Sequence, residues 1–133
     1  MLANNENLTI SERMRVLRIR LGLTQDQLTN HFGTTKYAYR KIETGDMTRV
    51  SDDLLSDVQA FVAENWTRDA TPYELLRIER ERASYTTTYT AGVVGFSRSL
   101  YMIVEGGGRP QQYAPEFQQA INNHATERKA TAG

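Results

Sequence analysis

Cysteine is absent from the chain, which removes both a disulfide framework and a thiolate-ligated zinc site as sources of stability. No apolar run is longer than a few residues, so no segment reads as a membrane span. A surplus of either charge is also missing: 16 basic residues balance 16 acidic ones, and the whole chain has no net attraction for a polyanion. Alternating apolar and polar residues, the mark of a half-buried strand, never persist long enough to argue for a sheet. At 133 residues there is length for one ordinary domain or two very small ones, with little left over for an active-site cleft. No nucleophile–base pair or carboxylate dyad stands at a suggestive spacing, so an enzyme is not expected and no cofactor is implied. His31 and His124 lack clustered acidic partners and read as surface residues rather than metal ligands. The stretch Met1 to Asn7 is polar, without the basic-then-apolar order of a signal peptide, and the expected location is cytoplasmic.

What is present is unevenly placed. Between Leu8 and Arg49 the basic residues Arg13, Arg15, Arg18, Arg20, Lys36, Arg40, Lys41 and Arg49 face only Glu12, Asp26, Glu43 and Asp46. Asp52, Asp53, Asp57 and Glu64 then return negative charge, so the local sign says more than the total. Gly, Pro and charge changes cut the chain into helix-length pieces, which predicts an all-α protein. Ser11 is the expected cap of a first helix carrying Met14, Val16, Leu17 and Leu21, and Gly22 its stop. Thr24 caps a second helix over Gln25 to Phe32, which ends at Gly33. A third runs from Thr35 to Glu43, and a fourth, from Ser51 to Trp66, aligns Leu54, Leu55, Val58, Phe61 and Val62.

The sequence also repeats. Shifted by 62 positions, Arg15, Arg18, Arg20, Thr24, Gly33, Tyr39, Glu43 and Gly45 fall on Arg77, Arg80, Arg82, Thr86, Gly95, Tyr101, Glu105 and Gly107. Met14/Leu76, Val16/Ile78, Thr35/Ser97, Lys36/Arg98 and Ile42/Val104 are conservative pairs in the same register. The reading is therefore two tandem four-helix units, 8–66 and 72–124, joined by the polar stretch Thr67 to Thr71 and followed by a disordered tail, 125–133.

One segment is more specific than the rest. Leu21-Gly22-Leu23-Thr24-Gln25 with Leu28, then Phe32-Gly33-Thr34-Thr35, then Lys41-Ile42-Glu43-Thr44-Gly45, closely resembles the lambda-repressor-like (XRE) helix-turn-helix family. The resemblance implies a sequence-specific regulator of transcription, of the phage or plasmid repressor type, whose partner is double-stranded DNA. It places Thr24 and Gln25 at a phosphate, and Thr35, Lys36, Tyr37 and Arg40 in the major groove, with Lys41 reaching the backbone. Lys36 and Arg40 are the candidates for guanine edges. Tyr39 is expected to face the core, where its hydroxyl needs a partner. Arg18 and Glu43 resemble a pair that ties the first helix to the third, and Arg80 with Glu105 repeats it.

The second unit departs from this pattern. Gln25 becomes Thr87, Leu28 becomes Thr90 and Asn30 becomes Gly92, which predicts a weaker second helix. Arg98 survives, but Arg40 becomes Met102 and Lys41 becomes Ile103, so Phe96, Leu100 and Ile103 have apolar surface to place. Ser97, Arg98 and Ser99 either read a second half-site, or the same face contacts a second copy or another protein. In the second case the chain resembles an antitoxin that autoregulates its operon and neutralises a protein partner. Gly106-Gly107-Gly108 lacks the Lys-Ser/Thr and the preceding strand of a phosphate loop and reads as a helix-ending turn.

Overall fold

The computed structural model describes residues 1–132, and these are all-helical, with no strand among them. Eight helices follow in order: α1 (Ile10–Arg20), α2 (Gln25–His31), α3 (Lys36–Thr44), α4 (Asp52–Asn65), α5 (Pro72–Arg82), α6 (Thr87–Val94), α7 (Arg98–Glu105) and α8 (Tyr113–Ala132). A short 3-10 turn, Met47–Arg49, precedes α4. Among the described residues no helix is long and apolar enough to cross a membrane. Contacts divide the chain into two compact units, residues 7–69 and residues 1–6 together with 70–133.

In the unit of residues 7–69 the starts are set by local capping. Thr9, not Ser11, caps α1: its hydroxyl accepts from the Glu12 amide, and the Glu12 carboxylate accepts from the Thr9 amide at 2.9 Å. Ser11 is instead buried. Thr24 and Gln27 build the same reciprocal box at α2, while Thr35 and Ser51 cap α3 and α4. The core joins Met14 and Leu17 of α1, Leu28 of α2, Tyr39 and Ile42 of α3, and Leu54, Val58 and Val62 of α4. Phe32 and Phe61 meet edge-on at 5.5 Å beside it, with His31 against both rings. Trp66, the sole tryptophan, lies under two guanidinium groups, Arg13 at 4.7 Å and Arg20 at 4.6 Å. Arg20 also donates to the carbonyls of Arg68 and Asp69, which fastens the end of this unit to α1.

The other unit rebuilds the first three helices at the 62-residue offset. Helices α5, α6 and α7 begin 62 residues after α1, α2 and α3, and their caps Thr71, Thr86 and Ser97 stand 62 residues after Thr9, Thr24 and Thr35. Glu74 repeats the role of Glu12, accepting from both the amide and the hydroxyl of Thr71. The turn after the first helix needs a left-handed residue in both copies. Gly22 supplies it at φ +67°, whereas Ser84 takes φ +59° with a Cβ that resists it. Helix α6 forms despite Gly92. Thr90, in the place of Leu28, is fully buried and satisfies its hydroxyl on the Thr86 carbonyl at 2.7 Å.

The fourth helices differ. Helix α8 packs along α5 and contributes Ala114, Phe117 and Ile121 to a core with Leu76, Tyr85, Ala91, Tyr101 and Val104. Residues 125–132, expected as a disordered tail, continue α8 as helix; Gly133 lies outside the described residues. The N-terminal segment also belongs to this unit. The Ala3 amide donates to Glu79 at 2.8 Å, and Gln118 donates to the Ala3 carbonyl at 2.7 Å.

Candidate nucleic-acid interface

The geometry of α2, the turn and α3 is fixed by backbone bonds at Gly33. Its amide donates to the Asn30 carbonyl and the Thr34 amide to the Thr29 carbonyl, each at 3.1 Å, which is the six-to-one and five-to-two pattern of a Schellman ending. Gly33 sits at φ +63°, a region that costs a side-chain-bearing residue about 1 kcal/mol. Thr35 then restarts the chain by accepting from the Ala38 amide at 3.1 Å.

Helix α3 has two unlike faces. Tyr39, Ile42 and Glu43 are buried. Thr35, Lys36, Tyr37 and Arg40 are exposed, Tyr37 to 65%. Arg40 has no ion-pair partner among the described residues, whereas Lys36 lies 3.3 Å from Asp26 in a pair that is open to solvent on both sides. An exposed pair of that kind is worth at most about 1 kcal/mol, so Lys36 is free to exchange partners. Lys41 is placed differently from the rest. Its ammonium is held by Asp46 at 3.1 Å and lies 4.9 Å from the centre of the Tyr37 ring. The hydrogen bond to Asp46, then the Tyr37 hydroxyl, raise its pKa.

Thr24 and Gln25 stand at the start of α2, beside an open hollow of about 390 Å³ that Arg18, Leu23, Asp26 and Lys36 complete. Gln25 is not a merely solvated side chain. Its amide donates to Glu43 Oε1 at 3.2 Å, which leaves one amide hydrogen and its carbonyl for a ligand. Glu43 is where the three helices are tied. Arg18 of α1 grips its carboxylate with two bonds, Nε at 2.7 Å and Nη2 at 3.2 Å, and Tyr39 donates its hydroxyl to Oε2 at 2.5 Å. Arg15 donates to the Glu43 backbone carbonyl as well. The Tyr39 hydroxyl thus has its partner, and burial first, then Glu43, push the phenol pKa well above its ordinary value.

The second unit repeats the tie without its full complement. Arg80 grips Glu105 with Nε and Nη2, both at 2.8 Å. Burial opposes ionisation of Glu105, but the bonds and charge of Arg80 outweigh it, and its pKa falls below the usual value. Thr87 has no side-chain amide to offer in the place of Gln25, and the Tyr101 hydroxyl, fully buried, has no hydrogen-bond partner among the described residues. Burial, then the nearby Glu105, still raises the Tyr101 pKa, although the hydroxyl falls short of hydrogen-bond geometry.

This contrast yields a prediction. Tyr39→Phe deletes a charge-assisted bond and is expected to cost about 2 kcal/mol of unfolding free energy, while Tyr101→Phe costs nearly nothing, because it removes a group already unsatisfied. Denaturant titrations of the two variants test it; equal losses would mean that the two tyrosines do the same job.

Ser97, Arg98 and Ser99 are exposed at the start of α7, and Ser97 caps the helix by accepting from the Leu100 amide. Arg98 has no ion-pair partner among the described residues. Met102 and Ile103, which replace Arg40 and Lys41, are 44% and 50% exposed. Phe96 is placed against α8, 5.1 Å from Tyr113 and 5.0 Å from Phe117 between ring centres.

His124 is not the plain surface residue expected. Its Nδ1 lies 2.8 Å from the Tyr85 hydroxyl and its Nε2 3.4 Å from that of Tyr89, so it bridges α8 to the entry of α6. No family model, no curated protein and no solved structure matches this chain.

Proposed function

We propose that residues 7–69 form a sequence-specific DNA-binding unit of the lambda-repressor-like kind, and that the chain is a transcriptional regulator acting by binding rather than catalysis. In this reading the start of α3 enters the major groove. Lys36 and Arg40 reach base edges, Tyr37 packs against the groove wall, and Thr35 lies near the backbone. Thr24 and Gln25 bind a phosphate at the start of α2. Lys41, already held by Asp46, steadies Tyr37 and adds positive charge beside the backbone.

The observation that carries the reading is the division of α3. One side is fixed to α1 and α2 through Glu43, Tyr39 and Ile42, and the other presents Lys36, Tyr37 and Arg40 to solvent with Arg40 unpaired. A base-reading helix requires both properties, since a loosely held helix cannot fix register and a covered one cannot enter a groove.

The test is selection of bound duplexes from a random pool, followed by titration of the selected site at several salt concentrations. A single enriched motif is expected, with affinity falling steeply as salt rises, at a log–log slope of about −0.9 for each phosphate contacted. A pool that yields no motif would overturn the proposal.

For the second unit, α7 supports a different partner. Exposed Met102 and Ile103 stand where the first unit carries Arg40 and Lys41, leaving Arg98 as the cation of that face beside Ser97 and Ser99. Such a face suits a protein surface better than a phosphate backbone. This keeps the antitoxin-like reading, in which the second unit contacts a second copy or a protein partner. The length of the selected motif separates the alternatives, because two reading units require a longer site than one.

A further inference from the structure

In the unit formed by residues 1–6 and 70–133, an open groove of about 450 Å³ lies between the C-terminal ends of α5 and α8. We propose that it binds a small organic anion, one with a phosphate or carboxylate head and a flat apolar body.

The charges that line it are lopsided. Arg82 comes from the last turn of α5, and Arg128 and Lys129 from α8, against the single carboxylate of Glu79. Glu79 is buried, and its Oε1 already accepts from the Ala3 amide at 2.8 Å and the Gln118 side chain at 3.1 Å. Arg128 and Lys129 have no ion-pair partner among the described residues. A helix C-terminus favours a cation without any ligand, which accounts for each residue singly. It does not account for Arg128 and Lys129, neither of them ion-paired among the described residues, lining one groove together with Arg82 of another helix.

The walls supply the rest of the ligand's chemistry. Tyr85, Ala83 and Ala125 add apolar surface to the lining, and Asn122 and Thr126 add polar groups. Arg128 is oriented in advance. Its guanidinium lies 5.9 Å from the ring centres of both Tyr85 and Tyr89, and Tyr85 is itself held by His124 at 2.8 Å. Less ordering is then left for binding to impose. The volume falls within the range of small-molecule sites, about 300–1,000 Å³, and exceeds what a bare inorganic ion fills.

The experiment is titration of the full chain by calorimetry and by proton NMR of the tyrosine and His124 rings, using phenyl phosphate, benzoate, inorganic phosphate and benzyl alcohol as separate probes. Saturable binding of phenyl phosphate or benzoate is expected at a Kd on the order of 1 mM, with the other two probes several-fold weaker. Whichever of the two organic anions binds tighter identifies the head group. The double variant Arg128→Gln with Lys129→Gln, both exposed, is expected to keep its helical circular dichroism and to bind roughly tenfold more weakly or worse. Absence of saturation with both organic anions, equal affinity for inorganic phosphate, or an unchanged Kd in the double variant would each overturn the proposal.

Discussion

Replacing Glu43 by alanine is expected to lower the unfolding free energy of the first unit by about 3 kcal/mol, the lower end of the cost of breaking a buried ion pair from one side. The lower end applies because the Arg18 side chain remains 22% exposed and regains some water, whereas Glu43 is only 5% exposed. Three donors lose their acceptor together: the Arg18 guanidinium, the Gln25 amide and the Tyr39 hydroxyl. Tyr39 suffers most, since it is fully buried and no other acceptor is shown for it. The loss corresponds to a fall in Tm of about 12 °C or more for a unit of this size. Trp66, the sole tryptophan and in contact with Arg13 and Arg20 in the same unit, reports the transition by fluorescence. The double variant Arg18→Met with Glu43→Leu is expected to lose less, because it leaves no charge stranded. A shift below about 1 kcal/mol in Glu43→Ala would mean that apolar packing alone fixes α3 against its neighbours.

The elements that the sequence predicts best are those whose limits are local. Thr24, Thr35 and Ser51 stand as caps where expected, and the Schellman ending at Gly33 needs only the residues that form it. Even there Ser11 was a poorer choice than Thr9, because the box with Glu12 three residues on satisfies two groups and a lone serine only one. The pairing Arg18–Glu43 was legible through the resemblance, and the repeat carried it over to Arg80–Glu105.

What escaped the sequence depends on contacts between distant residues. Gln25 reads as a phosphate contact, and its second role emerges only when Glu43 is seen 3.2 Å away. His124 reads as a surface residue until the tyrosines of another segment meet both its nitrogens. The end of α8 has no apolar stripe and so looked unstructured. Ala114, Phe117 and Ile121 anchor its first turns, and beyond them Ala, Glu, Arg and Lys carry the helix on by propensity, with no Pro or Gly to stop it before Gly133. The attachment of Ala3 to Glu79 and Gln118 had no signal in the sequence, since a short polar N-terminal segment carries no periodicity.

For the proposed interface the decisive expectation concerns Lys36 and Arg40. Each changed singly to alanine is expected to cost about 1–3 kcal/mol of preference for the selected site over random duplex, the range for loss of a base-edge contact. Arg40 is expected to lie near the upper end. It is exposed without a competing carboxylate, and a guanidinium can bond two acceptors of a guanine edge at once. Lys36 starts from its contact with Asp26 and brings a single ammonium, so part of its gain on binding goes to replacing that pair. Neither change should disturb folding, because neither side chain enters the core formed by Met14, Leu17, Leu28, Tyr39 and Ile42. The measurement is competition binding of each variant against the selected and random duplexes at one salt concentration. If the variants lose affinity equally for both duplexes, the two cations touch phosphates only, and the reading of sequence by α3 falls with them.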